Sequence, residues 1–161
     1  MILGVGTDIL SMQRFRDVLE ADSDVFVEKV FTAKERQQAS ESPDRTAYFA
    51  TRFSGKEAVF KCFGIHGNVR LSQIEILDGE TGQPRLTLLG EFNRIAEEKG
   101  VKDVQISLSY ENDFAVAFAV AQDCANPKDH SKSEGQLSDG TERSDIGEDN
   151  RASCTDFQEK A

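Results

Sequence analysis

The chain has 161 residues, enough for one domain with an extension but not for two full domains. Its formal net charge of −10 excludes general nucleic-acid binding, which needs a basic surface. The sequence has no run of 18 or more apolar residues of the kind a membrane-spanning helix needs.

Residues 2–9 alternate and carry Gly4 and Gly6, which predicts a strand whose glycines admit a close backbone neighbour. Ser11 is placed to cap an amphipathic helix running to about Glu20, and residues 25–31 predict a second short helix. Thr32 and Glu35 form a capping box for a helix through about Ala39. Ser42-Pro43-Asp44 breaks the chain before a long helix over about 45–63, which Gly64 ends. Residues 71–77 and 85–89 predict two strands around a turn at 78–84, and a short helix over 91–99 closes at Gly100. Residues 104–109 and 114–121 form the last predicted hairpin. The order β-α-α-α-β-β-α-β-β predicts an α+β domain over residues 1–122, with helices packed on a largely antiparallel sheet.

Residues 123–161 differ in kind. They hold 5 Lys/Arg against 10 Asp/Glu, whereas residues 1–122 hold 14 against 19. With one Leu, one Ile and one Phe, this stretch cannot bury enough apolar surface to offset the entropy of ordering. An acidic disordered tail is expected. Cys62, Cys124 and Cys154 show no metal-ligand or redox spacing, and Ile2–Leu10 is not a secretory signal, so a reducing cytoplasm is expected.

The most informative stretch is 48–63. Phe49, Phe53, Phe60 and Phe63 share one helical stripe, and Glu57 and Lys61, four apart, meet at its rim. A carboxylate and an ammonium so held suit a metal-bound phosphate. The plainer reading is an exposed ion pair worth a few tenths of a kcal/mol.

Four segments in order, Gly-Thr-Asp8-Ile, Phe31-Thr32-x-x-Glu35, Arg52-Phe53-x-x-Lys56-Glu57-Ala58-x-x-Lys61 and Ser107-Leu108-Ser109, resemble the holo-acyl-carrier-protein synthases. These are the small single-domain type of 4′-phosphopantetheinyl transferase, and the resemblance spans residues 1–121. It implies transfer of the 4′-phosphopantetheine arm of coenzyme A to a serine of an acidic acyl carrier protein. It further implies Asp8 and Glu57 as Mg²⁺ ligands, Lys61 at the pyrophosphate, and Arg52 at the 3′-phosphate. Lys56, Ser109 and Tyr110 fall at cofactor-binding positions; Tyr110 stands where the family carries histidine, and Lys56 is open to a structural or subunit-contact role. Arg14, with Arg16 beside it, matches the arginine that docks the carrier. The resemblance implies a homotrimer with sites between subunits, Asp8, Glu57 and Lys61 from one and the Ser109–Tyr110 side from the next. The general base is open between Glu57 and a metal-bound water. Loop His66 is a further candidate cofactor contact, and His130 in the tail has no expected role. The competing readings are a non-catalytic module binding coenzyme A or a carrier, and an acidic interaction protein acting through its tail.

Overall fold

The computed structural model describes residues 1–65 and 69–124. The expected disorder of the tail and the readings of His66 and His130 therefore lie outside the described residues, save for Asp123 and Cys124. Five strands, four α-helices and one 3₁₀ turn follow in the order β1 (Ile2–Ser11), α1 (Met12–Val30), α2 (Ala33–Glu41), α3 (Arg45–Phe63), the turn Leu71–Gln73, β2 (Ile74–Asp78), β3 (Pro84–Leu88), α4 (Gly90–Glu98), β4 (Asp103–Tyr110) and β5 (Phe114–Gln122). The α+β architecture is as expected. The antiparallel strands divide into a three-stranded sheet, β1-β5-β4, and a separate β2-β3 hairpin.

One helix replaces the two expected over 12–31. Residues 21–24 contain neither glycine nor proline, and Phe15, Phe26, Val27 and Val30 continue one buried face, so nothing stops the helix before Phe31. The capping box forms as expected: Thr32 Oγ1 accepts from Glu35 N–H, and Glu35 Oε2 accepts from Thr32 N–H at 2.8 Å. Asp44 caps α3 by accepting from Ala47 N–H at 2.9 Å, and Gly64 ends it at φ 57°. Leu71–Gln73, expected at the start of a strand, is instead a 3₁₀ turn.

Helix α3 is the axis of the domain. Its phenylalanine stripe serves two clusters: Phe49 and Phe53 pack with Phe15, Phe26 and Phe31, while Phe60 and Phe63 pack with Phe92 of α4. Alternate residues of β5, namely Ala115, Ala117, Ala119 and Ala121, are buried beneath the helix. Small side chains bring the sheet close to α3. Closest is β1, where a Cβ on Gly6 would collide with the carbonyl oxygen of Ala58, and one on Gly4 with that of Cys62.

The opposite sheet face is bare: Val5, Ile9, Phe114, Val116 and Phe118 are all exposed. At the domain end, Asp123, assigned to the tail by composition, pairs with the amino group of Met1 and donates its N–H to Met1 O. Among the described residues, no helix is long and apolar enough to cross a membrane.

Candidate active site

The glycines of β1 place Asp8. With Gly6 against Ala58, and Ser54 Oγ donating to the Asp8 carbonyl at 3.3 Å, the Asp8 side chain reaches the α3 rim that carries Glu57 and Lys61. Lys61 Nζ donates to Asp8 Oδ1 at 2.8 Å; the lysine is half-exposed and the carboxylate mostly covered. One turn earlier on α3, the Glu57 carboxyl is held above its ordinary range. Burial is the main cause, the Asp8 charge adds to it, and the Lys61 ammonium opposes it. Among the described residues, no three or more His, Cys, Asp or Glu side chains gather into a metal-binding group.

A second set lies around Arg52, nine residues before Lys61 and about 13 Å away along the helix axis. Arg52 is buried; its guanidinium stacks 4.0 Å over the Tyr48 ring, donates to Thr51 Oγ1 at 3.1 Å and pairs with Asp78 at the end of β2. Arg52, Tyr48, Thr51, Asp78, Leu108 and Tyr110 line part of a cavity of about 300 Å³. Tyr110 thus shares this cavity with Arg52. Ser109 does not: the pleat turns it to the bare sheet face, paired with Val116. Neither Asp8, Glu57 nor Lys61 lines this cavity.

Lys56 requires a correction. It does not open on a cofactor: it is 0% exposed, and its Nζ donates to Glu35 Oε2 at 2.8 Å and to the carbonyls of Ile74, Val30 and Leu71 at 2.6, 3.0 and 3.2 Å. Four acceptors face an ammonium with three N–H bonds, so no donor is left for a ligand. Arg14 and Arg16 both stand exposed on the first two turns of α1, free to meet a partner.

Sequence reasoning missed three residues. Tyr48 supplies the ring beneath Arg52, Asp78 its carboxylate, and Gln38 ties them, accepting from Tyr48 Oη and Asp78 N–H at 2.9 Å each. Two sequence signals were present: Tyr48 stands four residues before Arg52 on one helix, and Asp78 ends an apolar strand, which reads equally well as the first residue of a turn.

The pattern of the 4′-phosphopantetheinyl transferase superfamily matches residues 4–119. A holo-[acyl-carrier-protein] synthase of Desulforudis audaxviator is 40% identical over 124 residues, covering 75% of this chain and 93% of that one. The crystal structure of the Neisseria meningitidis holo-[acyl-carrier-protein] synthase superposes with a TM-score of 0.71 at 32% identity, covering 76% of this chain and 99% of that one. A complex of the Chronobacterium ammoniagenes synthase with coenzyme A gives 0.65 at 29%, covering 74% and 96%. The chain belongs to the 4′-phosphopantetheinyl transferase superfamily. Within it, the chain is an enzyme of the holo-[acyl-carrier-protein] synthase kind.

Proposed function

We propose that the enzyme transfers 4′-phosphopantetheine from coenzyme A to a serine of an acidic apo-acyl carrier protein, with Mg²⁺, in fatty-acid synthesis in the cytoplasm. The observation that carries this reading is the convergence of Asp8, Glu57 and Lys61, drawn from β1 and α3. The serine oxygen forms the new bond to the pantetheine-side phosphorus as the pyrophosphate bond breaks; 3′,5′-ADP leaves and the serine proton goes to a base. Asp8 and Glu57 are the residues to hold Mg²⁺, which when bound neutralises phosphate oxygens. Lys61, with one N–H already on Asp8, offers its other two donors to the charge that develops as the pyrophosphate breaks. Arg52, with Tyr110 across the cavity, is suited to an anionic group farther along the donor.

A homotrimer with sites between subunits is part of the proposal. The separation of the Lys61 and Arg52 sets on α3 supports it, because a second copy can bring its own Arg52 cavity up to the first copy's carboxylates. The bare apolar face of the sheet supports it too, since such a patch calls for a partner. Exposed Arg14 and Arg16 are the proposed contacts to the acidic carrier, a local attraction inside an acidic body. Residues 1–122 are proposed as the transferase domain and 123–161 as an accessory acidic extension.

Incubation with coenzyme A, Mg²⁺ and an apo carrier, followed by weighing the carrier, tests the proposal. The expected result is a mass gain equal to one phosphopantetheine, lost without divalent cation. An unmodified carrier alongside measurable coenzyme A binding favours a binding module instead.

A further inference from the structure

The carboxylate that holds Arg52 is an anion where the proposed donor must bring another. Asp78 pairs with the guanidinium, whose Nε has no hydrogen-bond partner among the described residues, although it is buried. The two partners differ in freedom. The Arg52 side chain is 9% exposed and fixed by the Tyr48 ring and Thr51, whereas the Asp78 side chain is 45% exposed. The Asp78 main chain is pinned, since its N–H donates to Gln38 Oε1 at 2.9 Å and its carbonyl accepts from Gln38 Nε2 at 3.2 Å. Only the carboxylate can turn away.

We propose that Asp78 is a specificity-determining residue, a resident counter-ion to Arg52 that any incoming phosphate must displace or sit beside. This rests on the reading of Arg52 as the receptor for the 3′-phosphate of coenzyme A. The Asp78 charge weakens capture of anions by Arg52, the more so the greater their charge. It therefore limits both the retention of a 3′-phosphorylated donor and the grip on the bisphosphate product, while leaving a donor without that phosphate almost untouched.

The test is calorimetric binding of coenzyme A and of 3′-dephospho-coenzyme A, in Mg²⁺, to the full chain and to Asp78→Asn, which keeps both Gln38 bonds. The preference for coenzyme A is expected to rise about three- to tenfold in Asp78→Asn, through tighter coenzyme A binding, and the gain to shrink as salt is added. Asp78→Ser should move it the same way and Asp78→Glu should restore wild-type preference. An unchanged preference, or weaker coenzyme A binding, in both neutral variants overturns the proposal, for Asp78 would then be aligning Arg52 rather than opposing its ligand. Wild type that binds the two donors alike, or Arg52→Gln that discriminates as wild type does, overturns the Arg52 reading itself.

Discussion

Lys56 and Glu57 are chain neighbours that face opposite environments from one turn of α3. The Lys56 ammonium is sealed against Glu35 at 2.8 Å with both residues 0% exposed, while Glu57 stands at the rim beside Asp8 and Lys61. The lysine ties α3 to the end of α1, to α2 and to the start of β2, and so fixes the helix on which the acid is presented.

Lys56→Met should therefore act on stability before chemistry. Removing one partner of a buried pair leaves Glu35 charged without its ammonium, and about 3–5 kcal/mol should be lost in urea unfolding. Adding Glu35→Gln should recover part of that loss. Burial holds the Lys56 pKa down while Glu35 pulls it up, so the protein structure is already the arbiter of this charge. A single variant as stable as wild type would mean that Lys56 does not hold α3 in place.

Glu57→Gln should separate stability from activity. The raised Glu57 pKa means that folding favours the neutral carboxyl. That advantage is complete below the unfolded value of 4.5 and is lost as pH rises through the folded one, so ionised Glu57 weakens the fold at neutral pH. Glu57→Gln should melt no lower than wild type at neutral pH, yet transfer about 100- to 1000-fold more slowly, as should Asp8→Asn. Near wild-type transfer by either variant in saturating Mg²⁺ would take that residue out of the metal site.

Tyr48 offers a second pH test, away from Asp8 and Glu57. Burial pushes its phenol from 10.0 up to about 12, with the Asp78 and Glu35 charges adding to the rise and Arg52 opposing it. The folded state holds this proton more tightly than the unfolded state, so the associated stability is complete below pH 10 and is lost as pH rises through about 12. In a Tyr110→Phe background Tyr48 is the only tyrosine left, and its phenolate absorbance should rise near pH 12 rather than 10. A midpoint at the ordinary value would mean that the Tyr48 ring is not buried in solution.

What the sequence made legible follows physical range. The capping box of Thr32 and Glu35 and the Gly64 stop are local, and both stand in the structure; the Glu57–Lys61 spacing is local too, but Lys61 bonds Asp8 of β1. The two glycines of β1 announced a close approach, though not that α3 would be what approaches. Glu35 shows the limit: as a capping residue it was fully accounted for within four positions of the chain. Its second role, bonding Lys56 and Ile76 N–H, depends on residues 21 and 41 positions away. Asp78 escaped notice for the same reason, since its partner Arg52 offers no spacing signal toward a strand end 26 residues on, whereas Tyr48, four residues before Arg52 on the same helix, was within local reach.

Gly6→Ala should damage the site without touching a site residue. The added Cβ would strike the carbonyl oxygen of Ala58 and crowd Cys62 N–H, both of them backbone of α3 that cannot swing aside as a side chain can. Either β1 shifts off the helix or the helix bends, and both separate Asp8 from Glu57 and Lys61. Overpacking of this kind costs about 1–3 kcal/mol, and more when backbone is the obstacle. The expected result is a lower melting temperature together with a loss of transfer that saturating Mg²⁺ does not repair, because the two carboxylates no longer converge. Gly100→Ala is the control: its glycine has φ 71°, and an added Cβ there meets nothing within 4 Å. That variant carries backbone strain alone, outside the Arg52 cavity, and should lose some stability while keeping transfer per folded molecule. If Gly6→Ala behaves as Gly100→Ala does, the close approach of β1 to α3 is not what sets Asp8 in place.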